Sequence, residues 1–426
     1  MIYRFFVICA IFVFAFFVFA ACGNGYRQEL WPPIPIPPVV IADSVQDVRN
    51  VPAVEPDYIV NLEQDAPPFN EHTVFLDYEP VFRIIRGIES VRYTNRSNVN
   101  LSDLTFEVPL DFMDILHVSQ DNEELSHILR GSDLRVGLLR PLEPDETIQI
   151  RIQFEAAIPQ RAHSTGANEH ATWAGGFLPV EVSRTDVANY AVEITTPIGY
   201  VVAGTGAKTE TYLDDQKITN FNAQMARDFA FAISPHFQRA TTMTQSGAVE
   251  VILYHYTPGL PTDRILAAAV ETMTFFDEAV GAYPYSQLLI VETDMQGAGD
   301  KFSGIIFMDS NYLQSSQYLR RLRHEVGKQW FSVIIGGDRE EEPWLHEGLA
   351  YFLASRLGEY ELRDRDGLIF YDLYLEMGEQ NFLDLMREYF RRFAFRTASA
   401  ADFINLAEEV HGSGLQSFER FERFDR

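Results

Sequence analysis

The chain has almost no cysteine: two in 426 residues, Cys9 and Cys22. Cys9 sits in an apolar stretch that reads as a leader, which leaves Cys22 alone and excludes a disulfide framework even in an exported protein. Lysine is nearly as scarce. Of 34 basic residues only four are Lys, at positions 208, 217, 301 and 328, and the other 30 are Arg. Positive charge is in short supply throughout: the net charge is −27, which excludes nucleic acid as a partner because a polyanion would be repelled. There is one long hydrophobic run, Phe5 to Ala21, and no internal repeat. Against these absences stand a length suited to two ordinary domains and 46% hydrophobic residues, enough to bury real cores.

Arg4 is the only charge ahead of the Phe5–Ala21 run, which is too short for a permanent membrane span and fits a targeting segment. The run ends in Phe19-Ala20-Ala21-Cys22-Gly23. Small residues directly before a Cys resemble a bacterial lipobox. That resemblance implies a lipoprotein signal peptide over residues 1–21, with Cys22 lipidated and anchoring the chain to the outer side of a bacterial cell membrane. A plain signal peptide or an uncleaved anchor is the alternative. Leu30-Trp31-Pro32-Pro33-Ile34-Pro35-Ile36-Pro37-Pro38 follows. Prolines at this density favour an extended tether, placed over residues 22–68, that holds the folded part off the membrane.

From about Thr73 to Ala240, short runs such as "SVRYTN", "TIQIRIQF" and "YAVEITTP" alternate apolar and polar side chains, separated by Pro, Asp, Gly and Asn. This pattern predicts an antiparallel, saddle-like β-sandwich over residues 69–240. Beyond Gly247 the pattern changes to a few strands ("VEVILYHY", "QLLIVETD", "SGIIFMD") and then helical periodicity, including "YLRRLRHEVGKQWFSVII" and "PWLHEGLAYFLASRL". A small sheet followed by helices predicts a second, mainly helical domain over residues 248–426, and an α+β fold class overall.

The stretch "RHEVGKQWF" (323–331) nearly spells the zinc motif H-E-x-x-H. Two His at i and i+4 on a helix share one face and one ion, with the Glu beside the first as general base. Here the second His is Lys328. Glu347, in "EPWLHEGLAYF", lies nineteen residues beyond Lys328; a helix, a turn at Gly336-Gly337 and a second helix would return it over the first.

"HEVGKQWF" followed by "EPWLHEGLAYF" resembles the aminopeptidase N (membrane alanyl aminopeptidase) family of gluzincin-type zinc metallopeptidases. "YPYSQLLIVE" (283–292), "ARDFAFAIS" (226–234) and "PLEPDETIQIRIQFEAAIP" (141–159) extend the likeness, which covers about residues 70–424. The resemblance implies a β-sandwich followed by a thermolysin-like domain. It makes His324 the first zinc ligand, Glu325 the general base and Glu347 the third ligand, with Lys328 in place of the second ligand. It also makes Gly297 to Gly304, "GAGDKFSG", the strand beside the cleft, with Gly299 and Lys301 as substrate-binding positions. Lys301 stands where the family's Glu holds the substrate α-ammonium; a shift of one would bring Asp300 there instead. The family's oxyanion Tyr has no clear match: its place reads Asp364-Arg365-Asp366-Gly367, with Tyr371 and Tyr374 nearby. His346, next to Glu347, is expected to point elsewhere, since helical neighbours diverge by about 100°.

An ammonium has no lone pair, so zinc, the cofactor implied by the resemblance, meets an impaired ligand set. Two functions remain open: a tethered module that binds a peptide or protein, or a working zinc peptidase using His324, Glu347 and a third ligand not evident from the sequence. The Phe-rich tail, Phe418, Phe421 and Phe424, reads as core packing or, alternatively, as a partner-binding helix. For the anchor the outcome is measurable: Cys22→Ser is expected to release the protein from membranes or leave an uncleaved precursor. Cell fractionation with the N-terminal mass checks this, and membrane retention with a cleaved leader would count against lipidation.

Overall fold

The computed structural model describes residues 69–108, 112–160, 163–182, 187–337, 342–357, 365–412 and 414–418, all within one compact unit. The leader 1–21, Cys22, the tether 22–68, Asp364, Phe421 and Phe424 lie outside the described residues. The first part is built from alternation. In the strand Glu71–Glu79, His72, Val74, Leu76 and Tyr78 are buried, while Glu71, Thr73, Phe75 and Asp77 between them face out. It belongs to an eight-stranded sheet ordered Ala207–Leu213, Gln216–Ala226, Ala188–Pro197, Glu71–Glu79, Ile84–Thr94, Thr147–Ala157, Met113–Gln120, Glu123–Glu124. Two four-stranded sheets share its core, which includes Phe106, Leu134, Phe154, Phe177, Tyr190 and Phe231.

One pairing departs from the expected antiparallel pattern: Glu71–Glu79 runs parallel to Ala188–Pro197. Parallel neighbours need a crossover rather than a hairpin, and the several strands between these two in the chain supply it.

The second part begins with a five-stranded sheet in the order Gln238–Met243, Glu250–His255, Gln287–Thr293, Ile305–Asp309, Gly299–Phe302. The three central strands are parallel, and the outer two are antiparallel to them. Helices at Thr262–Ala279, Tyr318–Lys328, Pro343–Ser355, Arg365–Met377, Glu379–Phe393 and Ala400–His411 pack around it. The first buries Ile265, Ala269, Met273 and Phe276, a stripe at helical spacing. The last opens with a Ser399/Asp402 capping box and closes at Gly412 with φ 82°. Phe418 is buried, its ring against Phe403.

The motif-bearing segment is not one uniform helix. Past Lys328 it widens into a π-helical turn, Gln329–Ile334, in which the Ile335 amide donates to the Trp330 carbonyl at 2.9 Å. Such turns are frequent at functional sites. This one coincides with fixed side-chain contacts. Gln329 Oε1 accepts from the Tyr283 hydroxyl (3.2 Å) and the Gly304 amide (3.1 Å), and its Nε2 donates to Phe302 O (3.0 Å). Trp330 Nε1 donates to Gly281 O at 2.7 Å. Gln329 thereby clamps the strand end at Phe302 to the motif helix.

The sandwich is tied to the helices by Arg227 and Asp228. Arg227 Nε donates to Val333 O (2.6 Å), and its Nη2 to Ile334 O (3.1 Å) and Arg396 O (2.6 Å). Val333 and Ile334 close the π-helical turn, where carbonyls run out of intrahelical partners; Ile334 O also accepts from the Phe395 amide, and Arg396 O from the Gly336 amide. Asp228 Oδ1 accepts from the Ser303 amide at 2.7 Å. A Cβ on Gly336 would lie 2.4 Å from the Arg227 guanidinium and displace it from these carbonyls.

A second support lies behind Tyr283, whose amide donates to Asp277 Oδ1 at 2.8 Å. Burial pushes the Asp277 carboxyl up to about 6, with the Tyr283 amide opposing and Glu278 adding to the rise. The native state therefore keeps a proton that the unfolded chain, with an ordinary value near ~4, gives up. Stability from this group is complete below about pH 4 and is lost as pH rises toward about 6. Asp277→Asn keeps the acceptor and removes the charge. Its melting temperature is expected to exceed that of the unmodified protein at pH 7.5 and to match it near pH 4, which a melting series across pH checks.

Candidate functional site

Three walls converge at the motif. The helix Tyr318–Lys328 presents His324, Glu325 and Lys328, all buried. His324 and Lys328, at i and i+4, share a face. The helix Pro343–Ser355, with Pro at its start, supplies Glu347 and, one turn on, Tyr351. The edge strand Gly299–Phe302 pairs Gly299 with Met308 and Lys301 with Ile306. Alternation along it turns Gly299 and Lys301 toward the cleft and Asp300 the other way, where Ser164 of the sandwich donates to the Asp300 carboxylate. Asp300 is thus engaged by the sandwich, and Lys301 faces the site.

Glu347 lies where the helix–turn–helix geometry puts it. Its Oε1 is 2.8 Å from Lys328 Nζ and 3.7 Å from Lys301 Nζ. Its Oε2 is 3.4 Å from His324 Nε2. Lys328 Nζ also lies 3.4 Å from Glu325 Oε2, and Arg321 Nη2 is 2.6 Å from Glu325 Oε1. Arg321 Nη2 further donates to Gly299 O at 3.1 Å. Glu325 is 0% exposed, Lys328 4% and Lys301 5%, whereas the Glu347 side chain keeps 38% of its surface open. Gly299 lets the strand come close: a Cβ there would stand 3.0 Å from the Phe307 carbonyl and 3.3 Å from Glu325 Cγ.

The charges set one another. Burial alone would raise the Glu347 carboxyl, but the His324 ring, Lys328 and Lys301 hold it well below the usual carboxylate range. Burial opposes the charge on Glu325 too, and Lys328, Arg321, His324 and Lys301 outweigh it and keep that carboxyl below its ordinary value. Burial would strip the proton from Lys328; Glu325 and Glu347 reverse this and raise it. Both carboxylates and the ammonium are therefore ionised at neutral pH.

Two participants were not evident from the sequence, Arg321 and Tyr351. Arg321 stands four residues before Glu325, a spacing that pairs charges on a helix. Tyr351 stands one turn after Glu347, its ring edge-on to His324 at 5.6 Å and its hydroxyl bonded to Arg320. His346 points elsewhere, to the Tyr389 hydroxyl at 3.0 Å. Tyr371 and Tyr374 pack against Phe352, at ring distances of 6.4 and 5.8 Å.

No protein-family model matches the chain. The structure is similar to the M1 zinc metallopeptidase of Deinococcus radiodurans, with a TM-score of 0.67, 19% identity, and 82% of this chain and 91% of that one covered. It is similar also to a two-domain M1 zinc metallopeptidase mutant bound to L-tryptophan, with a TM-score of 0.68, 18% identity, and coverage of 82% and 92%. The chain has the two-domain fold of the M1 zinc metallopeptidases. In sequence it is similar to human aminopeptidase O, 30% identical over 148 residues, 31% of this chain and 18% of that protein. Rat aminopeptidase O is 31% identical over 128 residues, 28% of this chain and 15% of that protein. The match spans less than a fifth of these curated relatives' length. Together the likenesses support an aminopeptidase N-like M1 metallopeptidase family, which is a zinc family.

Within this M1 fold the donor set is short. A catalytic zinc takes three protein ligands and a water. Here His324 Nε2 and Glu347 face an ammonium, and Glu325 is held by Arg321 and Lys328. Among the described residues, no group of three or more His, Cys, Asp or Glu side chains is arranged to hold a metal ion. A protonated lysine donates no electron pair and repels a dication, so the residues present do not fit zinc.

Proposed function

We propose that the chain is a non-catalytic M1-type module, lipid-anchored outside a bacterial cell, that binds a peptide or protein chain without cutting it. The observation that carries this reading is the Lys328 ammonium, 2.8 Å from Glu347 and 3.4 Å from Glu325, in the position of the second ligand. Lys301 adds to it. A cation in the wall of the cleft repels the α-ammonium by which an aminopeptidase recognises its substrate. The lipobox-like Cys22 and the proline-rich tether support display on a membrane surface.

One observation favours a second reading, a working zinc peptidase. Among the described residues, buried His324 Nε2 has no partner other than Glu347 Oε2, 3.4 Å away, a pairing two zinc ligands would also show. Metal content separates the two. The purified chain is expected to hold far less than one zinc per molecule and to show negligible aminopeptidase turnover. Lys328→His is expected to gain measurable zinc binding while remaining a poor aminopeptidase. Lys301 still repels the substrate's amine in that variant, and an absent oxyanion donor costs about 10²–10³ in rate. Elemental analysis beside a peptide-cleavage assay checks both. Stoichiometric zinc with chelator-sensitive cleavage in the unmodified chain would establish the peptidase reading instead.

A further inference from the structure

We propose that Lys301 and Lys328 act together as a replacement for the metal, two ammonium groups supplying the charge of one dication and tying three walls of the cleft through Glu347. The inference rests on the non-catalytic reading above and goes past it, because it gives the lysines a structural duty rather than treating them as lost ligands.

The geometry is that of a bridge. Lys328 comes from the motif helix, Lys301 from the edge strand and Glu347 from the facing helix, and both ammonium groups converge on the same oxygen, Glu347 Oε1, at 2.8 and 3.7 Å. Lys328 also lies 3.4 Å from Glu325 Oε2, so its ammonium serves both carboxylates. Arg321 takes the remaining oxygen, Glu325 Oε1, at 2.6 Å. Its bond to Gly299 O, 3.1 Å, joins the strand to the motif helix a second time. Two carboxylates this close repel unless a cation lies between them, and an ammonium with three donors can serve both without coordinating either.

The rest of the chain shows the same device. Lys208 and Lys217, the only other lysines, both lie 3.3 Å from one oxygen, Glu210 Oε1. In a chain with 30 Arg, all four lysines occur as pairs converging on a single glutamate oxygen. Guanidiniums do the same on the surface, where Arg391 and Arg392 both lie 2.6 Å from Glu388 Oε1; what sets the cleft pair apart is its burial. Solvent-exposed pairs contribute little, but Lys301 and Lys328 are nearly inaccessible, and removing one member of a buried pair leaves the other charge uncompensated.

The test is a double-mutant cycle on the full chain in metal-free buffer with chelator, using Lys328→Met, Glu347→Gln, the double variant and Lys301→Met. The melting temperature of the unmodified chain is expected to be the same with and without chelator. Lys328→Met is expected to lower it by roughly 5–10 °C, and Lys301→Met by less, because its ion pair is longer. The double variant is expected to recover much of the loss, since it removes both charges of the shorter ion pair. If Lys328→Met yields no folded protein, folded Lys328→Met/Glu347→Gln is the supporting result. A Lys328→Met variant melting within about 1 °C of the unmodified chain, or additive effects across the cycle, overturns the bridge and leaves the non-catalytic reading intact. Bound zinc with cleavage overturns that reading instead, whatever the cycle shows.

Discussion

Two glutamates on facing helices, Glu325 and Glu347, cannot both be ionised in a cleft of low polarity unless positive charge stands between them. Much of the local structure follows from that constraint. Lys328 is protonated against its own burial because the two carboxylates demand it, and they stay ionised against theirs because it is there. Arg321 takes the oxygen that Lys328 leaves, and Gly299 carries no Cβ because Glu325 and the Phe307 carbonyl fill the space beside it. A metal ion would satisfy the same demand with a different ligand set. In this chain the satisfied form is an ion-pair network, and such networks are strongly coupled: each member's charge state depends on the others.

Around this centre lies a frame whose contacts do not depend on what fills the cleft. Gln329 holds the strand end at Phe302 and the turn at Gly304, Trp330 is anchored on Gly281, and Arg227 caps the π-helical turn and the Arg396 carbonyl. Those of Gln329 are buried hydrogen bonds to backbone groups, costly to lose because an unpaired buried carbonyl or amide is penalised in full. These contacts hold the two-domain M1 fold together independently of the side chains that meet at Glu347. The side chains that build the fold and those that line the cleft are neighbours in sequence with separate partners in space.

The charges of the cleft are locally matched. A chain of net charge −27 gathers Lys301, Lys328 and Arg321 at one point, where they are matched by Glu325 and Glu347. Of these groups Glu347 is the one left substantially open to solvent. A ligand reaching the cleft meets that partly exposed carboxylate with cations behind it.

Periodicity along the chain was enough to foresee a strand-rich first part, a mainly helical second part and the helix–turn–helix return that brings Glu347 to His324. These follow from alternation at two residues and recurrence at 3.6, which are local properties. That His324 and Lys328, four residues apart, share one helical face was also local, and so was legible. The sequence did not reveal the π-helical turn after Lys328, the parallel pairing of Glu71–Glu79 with Ala188–Pro197, or the parts played by Arg321 and Tyr351. Nor could spacing decide between Lys301 and Asp300, since a register differing by one residue reverses which side chain enters the cleft. The tertiary structure settled it because Ile305–Asp309 fixes that register and Ser164, distant in the chain, takes the Asp300 carboxylate. The chain itself determined which residue types were present; packing between distant segments decided that Lys328 lies between two carboxylates rather than in solvent, because the partners compensating its charge come from two different helices.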